Sequence, residues 1–235
     1  MTLSNSITIS IIIPTLNEAA HIGSLLPHIK TNSSPNNIEE IIVVDGGSTD
    51  GTLGIAKKLG AKTITSERGR AKQMNKGAEL ARGHVLYFLH ADTNPPKDFD
   101  LYILNAVHHH IVSGCFRMKF DTSKKFLRFF AWFSRINNRL CRGGDQSLFV
   151  SKDLFLKTGG FNEKYIIYED MQFIVRLYKI SNFQVLPQYV VTSARKYEQV
   201  GTLKLQYHFG IIHLKNALGV GPEHLYRYYK KNITS

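Results

Sequence analysis

Short, almost unbroken apolar runs recur along the first part of the chain, at residues 7–13, 41–44, 63–65 and 85–89. Strict alternation would mark strands with one wet face, whereas runs that are apolar throughout mark strands covered on both faces, as in parallel sheets. Between them, residues 19–30, 52–59, 71–81 and 98–109 repeat apolar side chains at helical spacing. Strand and helix in alternation predict an α/β fold: a mostly parallel central sheet flanked by helices. Beyond residue 110 the pattern is less regular. It predicts a strand over 114–120, a helix over 124–140, a strand over 147–150, helices near 152–157 and 169–180, a strand pair around 184–192, and helical material from about 202 onward. No repeat, low-complexity tract or long linker interrupts it, so residues 1–235 read as one domain with a nucleotide-type first half.

In open α/β sheets ligands sit beyond the carboxyl ends of the strands, which directs attention to the residues that follow each run. After the first come Pro14, Thr15, Asn17 and Glu18; after the second, Asp45-Gly46-Gly47-Ser48-Thr49-Asp50; after the fourth, His90-Ala91-Asp92-Thr93. Three neighbouring strand ends thus point carboxylates and small residues into one crevice. Asp45 and its glycines suit a strand-to-helix turn with an N-cap, and equally an acceptor for a base N–H or a ribose hydroxyl. The segment is neither a phosphate-binding P-loop nor a dinucleotide fingerprint. His90 and Asp92, two apart on an extended strand end, are expected to face the same way and to converge on one metal ion, with Mn²⁺ favoured by the nitrogen donor and Mg²⁺ also compatible; a hydrogen-bonded turn is the simpler alternative. Arg68 and Arg70 open a helix where the dipole disfavours basic residues, which points to an anion such as a diphosphate. Glu169-Asp170 opens another helix, either as a cap or, for one of them, as a general base; Gly144-Asp145-Gln146 carries the same ambiguity.

Composition narrows this picture. With 43% hydrophobic residues the 235-residue chain has a large core to bury, which excludes a disordered protein. Cys115 and Cys141 cannot build a disulfide framework, and no Cys/His cluster has zinc-finger spacing, so a reducing, cytoplasmic setting is expected. The first apolar run stops at Pro14 with no Lys or Arg before it, and nowhere do the roughly 18 apolar residues of a spanning helix run together, so membrane contact is expected to be peripheral, at the inner face. The formal charge is +12, yet residues 1–60 hold three basic and five acidic side chains. The positive excess therefore belongs to the later part, whose partners are expected to be anionic.

Taken together the chain resembles the inverting family-2 glycosyltransferases of GT-A fold, through SIIIPTLNE (Ser10 to Glu18), VVDGGSTDGT (Val43 to Thr52) and the later acidic pair. It is similar in particular to a compact bacterial subgroup, some of whose members are labelled arsenosugar-biosynthesis enzymes. The shared segments are GRAKQMNKGA (Gly69 to Ala78), FLHADT (Phe88 to Thr93), GGDQSLF (Gly143 to Phe149), GGF (Gly159 to Phe161), YEDMQF (Tyr168 to Phe173) and SARKYE (Ser193 to Glu198). The resemblance implies a donor half over about 1–110 and an acceptor half over about 111–235. It implies a UDP- or GDP-sugar donor held by Pro14, Thr15, Glu18, Asp45, Gly46, Arg68, Arg70, Gln73 and Ala91. It implies a divalent metal, Mn²⁺ or Mg²⁺, on Asp92 with His90, where the family usually has Asp-x-Asp. Asp170 falls where the family has its catalytic base, and Asp145, Gln146, Glu169 and Arg195 fall on the acceptor side. The Gln-x-x-Arg-Trp of processive members is absent, which implies a single transfer. The rival from another class is a sugar-nucleotide-binding or membrane-scaffold protein that keeps the fold without turnover.

One segment lies outside that scheme. Residues 117–142 carry eight Lys or Arg against Asp121, interleaved with Phe126, Phe129, Phe130, Trp132 and Phe133. The four phenylalanines share a helical face. Such a face packs on a sheet as core, or rests on anionic lipid and presents a lipid-linked or otherwise anionic hydroxyl acceptor. Single-stranded nucleic acid ranks last, since no nucleic-acid motif accompanies the segment.

Overall fold

The computed structural model describes residues 7–233; residues 1–6 and 234–235 of the expected 1–235 domain lie outside the described residues. The first half alternates as expected: β1 Ile9–Thr15, α1 Ala19–Thr31, β2 Ile38–Asp45, α2 Thr52–Lys58, β3 Lys62–Thr65, α3 Arg70–Leu80 and β4 Val85–Phe88. A two-residue strand β5, Thr93–Asn94, and α4, Phe99–His108, follow. The second half contributes β6 Ser113–Phe120, α5 Lys125–Trp132, β7 Leu148–Ser151, α6 Lys152–Lys157, α7 Glu169–Ile180, β8 Phe183–Thr192, α8 Arg195–Val200, α9 Thr202–Ala217 and α10 Pro222–Ile233.

All eight strands join one sheet, in the order β3-β2-β1-β4-β7-β6-β8-β5. The strands β3, β2, β1 and β4 pair in parallel, whereas β7 lies antiparallel between β4 and β6. The register explains the apolar runs. Every residue of β1 is buried, and its side chains divide between two cores: Ile9, Ile11 and Ile13 meet Ile22, Leu25 and Leu26 of α1 on one face, and Ile12 joins Met74 and Ala78 of α3 on the other. Helix α3 lies so close that a Cβ added at Gly77 would stand 2.5 Å from Ile12 Cγ2. Ser10, the one polar residue inside the run, is satisfied by donating to Glu40 Oε1 at 3.1 Å and accepting from Gly83 N at 2.9 Å.

Two expected elements differ. The helix over 124–140 ends at Trp132 and continues as short 3₁₀ turns at Phe133–Arg135 and Arg139–Cys141. The buried Arg142 guanidinium draws out the chain there by donating to the carbonyls of Ser134 (3.0 Å) and Ile136, which removes the advantage of helical pairing. The strand pair around 184–192 is one strand, β8, with Pro187 and Gln188 as extra residues between the positions that pair with Phe116 and Arg117. Proline has no N–H to give a ladder, so it sits in the irregular stretch without loss.

Candidate active site

The carboxyl ends of β2, β1 and β4 meet the second half of the chain in a cleft of about 1770 Å³. Pro14, Thr15, Glu18, Arg68, Arg70, Gln73, His90, Ala91 and Asp92 line its wall from the first half of the chain. Asp145, Gln146, Glu169 and Asp170 come from across the sheet, because β7 docks antiparallel on β4 and carries the loop before it to the same strand end.

His90 is the hub. Its Nε2 faces Asp170 Oδ2 at 3.6 Å and its Nδ1 faces Asp145 Oδ1 at 3.9 Å. Burial opposes charge on the imidazole, but the carboxylate of Asp170 outweighs it and raises the pKa above the usual histidine value. Burial would likewise raise Asp170, yet the hydrogen bonding and charge of His90, with Arg70 beyond, hold it below the ordinary carboxylate range. Asp145 stands at the cleft surface with about half of its side chain exposed. The arrangement keeps one partly buried carboxylate ionised at the first turn of α7. Room for it exists because residue 144 has no side chain: a Cβ at Gly144 would lie 2.1 Å from Asp170 Oδ2. Glu169, beside it, is almost wholly buried, meets Arg70 Nε at 2.8 Å outside hydrogen-bond alignment, and is raised by that burial in spite of Arg70. Arg70 in turn is raised by Glu169.

Several expected site residues are placed differently. His90 and Asp92 do not lie two apart on an extended strand, because the strand ends at Phe88 and the chain turns, Thr93 N donating to His90 O at 3.1 Å. Asp92 instead lies 3.9 Å from Arg195 Nη2, which also reaches Glu18 Oε1 at 3.3 Å. Arg195, from the second half, therefore bridges to the wall contributed by the first. Asp45 is buried and closes its own turn, accepting from Gly47 N at 2.9 Å, Ser48 N at 2.8 Å, the Ser48 hydroxyl and Thr15 Oγ1. Its carboxylate and Gly46 stand behind the cleft wall. Gln73 braces that wall, its Nε2 donating to Thr15 O (2.7 Å) and Val44 O (2.8 Å) and packing under Gly46. Gln146 is turned inward, its Oε1 accepting from Arg142 Nη1 at 2.9 Å and its Nε2 donating to Cys141 O at 2.9 Å.

Residues not singled out beforehand complete the cleft. Helices α9 and α10 supply Leu203, Tyr207, Ile212, Tyr226 and Tyr229, and Tyr168, whose hydroxyl bonds His213 Nδ1 at 2.9 Å, stands at the entrance to α7. Helical periodicity marks α9 and α10 as helices but does not say which sheet edge they cover. Gly144 lay within a recognised segment; its signal is a glycine directly before an acidic residue.

Among the described residues no group of three or more His, Cys, Asp or Glu side chains is arranged to hold a divalent cation. Asp92 fits as a single carboxylate ligand of the kind that shares a cation with substrate phosphates, whereas both ring nitrogens of His90 face other carboxylates.

A sheet of this order, with a parallel half ending in a crevice and an ionised carboxylate brought to it by the second half, defines a GT-A type glycosyltransferase fold. The chain belongs to the Glycosyl transferase family 2, whose model matches residues 10–156. It is 31% identical over 206 residues to a PGL/p-HBAD biosynthesis glycosyltransferase of Mycobacterium tuberculosis, covering 83% of this chain and 78% of that one. Among solved structures it is similar to S. aureus TarS 1-349 in complex with UDP (TM-score 0.68, 24% identity, 79% of this chain), of which it spans 60%. It is also similar to the mannosyltransferase PcManGT of Pyrobaculum calidifontis in complex with GDP-Man and Mn²⁺ (TM-score 0.68, 19% identity, 95% of this chain and 69% of that one).

Proposed function

We propose that the chain transfers a sugar, with inversion and one residue at a time, from a UDP- or GDP-sugar to the hydroxyl of an anionic or lipid-linked acceptor. The observation that carries this reading is the Asp170 carboxylate, 13% exposed in the cleft and held ionised by the facing His90. The acceptor O–H gives its proton to Asp170 as its oxygen bonds the anomeric carbon. The bond from that carbon to the diphosphate oxygen breaks on the opposite face, and the nucleoside diphosphate leaves. Arg68 and Arg70 lie on the wall that would face the diphosphate. Asp92 would hold a divalent cation, Mn²⁺ or Mg²⁺, which when bound neutralises charge on the leaving phosphates. His90 keeps Asp170 ionised and oriented rather than holding the cation. Residues up to about 110 form the donor half and those beyond about 111 the acceptor half of one domain.

The test is nucleoside diphosphate release from UDP- and GDP-sugars over an acceptor panel, with Mn²⁺ or Mg²⁺. Asp170→Asn is expected to lower kcat by ~10²- to 10⁴-fold, the usual worth of a general base. Asp92→Ala is expected to weaken the response to added metal. Wild-type rates in both variants would overturn the assignment, and nucleotide binding without turnover over the whole panel would make the chain a binding protein.

A further inference from the structure

Helix α5 turns its aromatic face away from the core. The helix is anchored on β6 through buried Leu127 and Ala131, while Phe126, Phe129 and Trp132 are 39%, 58% and 50% exposed. Of the two readings open for the phenylalanine stripe, core packing does not hold for Phe126 and Phe129, because Leu127 and Ala131 suffice to seat an eight-residue helix. The rings instead pack on one another, tilted for Phe126–Phe130 (centroids 4.8 Å apart) and edge to face for Phe129–Phe133 (5.2 Å). Phe130 and Phe133 of this ladder line the cleft, so the exposed rings continue directly into its mouth. At the same mouth Leu140, Leu203 and Tyr207 are 76%, 71% and 67% exposed. Soluble monomers seldom leave so much apolar surface together without a partner.

Charge identifies the partner. Lys125, Arg128, Arg135 and Arg139 are exposed around the ladder. Asp121, the one acidic residue between 117 and 142, is engaged, accepting from Ala194 N at 2.7 Å. Lys124 is balanced by Glu198 at 3.6 Å. An apolar aromatic face ringed by unneutralised cations matches an anionic lipid surface, where rings enter the interface and cations meet headgroups. A second copy of the chain would bring the same positive rim against it. No helix among the described residues is long and apolar enough to cross a membrane, so the contact would be peripheral.

We propose that the α5 ladder and the adjoining cleft rim dock on an anionic bilayer, so that the cleft opens onto the membrane and receives a lipid-linked acceptor from it. Only the acceptor's route rests on the transfer reading above; the docking is measured without donor or acceptor. The full chain is sedimented with vesicles of phosphatidylcholine alone or of phosphatidylcholine with 30% phosphatidylglycerol. Binding to the anionic vesicles is expected to exceed that to neutral ones at least ~10-fold and to fall with added salt. Phe129→Ser/Trp132→Ser and, separately, Lys125→Glu/Arg128→Glu are expected to weaken it by at least ~10-fold, with unchanged thermal stability and unchanged thermal response to UDP or GDP. Equal or no binding to the two vesicle types, or unchanged binding by both variants, would overturn the proposal. So would a self-associated wild type that becomes monomeric on the aromatic double substitution, because the face would then belong to a second copy. None of these outcomes bears on Asp170, whose loss is read in turnover.

Discussion

Gly144→Ala puts a single methyl group where the Asp170 carboxylate now lies. The added Cβ would stand 2.1 Å from Oδ2, 2.8 Å from Cγ and 3.0 Å from His90 Cε1. Carbon and oxygen in contact need more than 3 Å, so either the carboxylate or the loop must move by roughly 1 Å. A displacement of that size at a reacting group costs ~10²-fold in rate, equivalent to about 2.7 kcal/mol of barrier. The backbone itself is not strained by alanine, because Gly144 is not among the glycines with a positive φ. Gly143→Ala is the matched control: the neighbouring position, in extended backbone, would place its Cβ within 4 Å of nothing. The assay is nucleoside diphosphate release at saturating donor, with melting temperature recorded alongside. Gly144→Ala is expected to lose kcat by ~10²-fold, and Gly143→Ala to stay within about threefold. Equal rates in the two variants would refute the claim that residue 144 is glycine to make room for the base.

The acidic limb of the pH profile tests the hub. Asp170 must be ionised to take a proton, and its pKa lies below the ordinary carboxylate range, so kcat/KM is expected to hold as pH falls to that range and to drop only below it. In His90→Gln only Arg70 is left to oppose the effect of burial, the Asp170 pKa rises, and the acidic limb is expected to move to higher pH; a limb that does not move would remove His90 from the mechanism. On the stability side, Gly77→Ala forces its methyl against Ile12 and Val44 and is expected to cost about 1–3 kcal/mol in urea unfolding, with the turnover of the folded fraction unchanged.

The parallel half of the fold was legible because strands covered on both faces must be apolar almost throughout, and 41–44, 85–89 and, but for Ser10, 9–13 are. The strand-end residues could be ranked for the same reason, since the sheet itself says where its ligands go. What escaped is what depends on particular side-chain and turn contacts that leave no periodicity in the sequence. The break in the helix after Trp132 follows from Arg142 bonding Ser134 O and Ile136 O, an interaction with no local signature. The divergence of His90 from Asp92 follows from a turn placed two residues after the strand, within the error of any boundary read from an apolar run. Asp45 shows the opposite case. Its turn-closing reading was available from sequence, and the hydrogen bonds from Gly47, Ser48 and Thr15 occupy the carboxylate in that role.

The position of β7 accounts for the site as a whole. Four parallel strands with their helices make a crevice that holds Glu18 and Asp92 but no buried base. Inserting β7 antiparallel against β4 reverses the chain, so the residues before β7, Gly144 to Gln146, arrive at the carboxyl end of β4 instead of the far edge of the sheet. That places Asp145 beside His90, and the glycine one residue earlier leaves the space that Asp170 fills from α7. The ring of His90 faces both carboxylates that the second half delivers. One antiparallel strand thus divides the cleft, leaving Asp92 beside Arg195 and bringing Asp170 against His90, which in the proposed reaction is where the acceptor hydroxyl would be deprotonated.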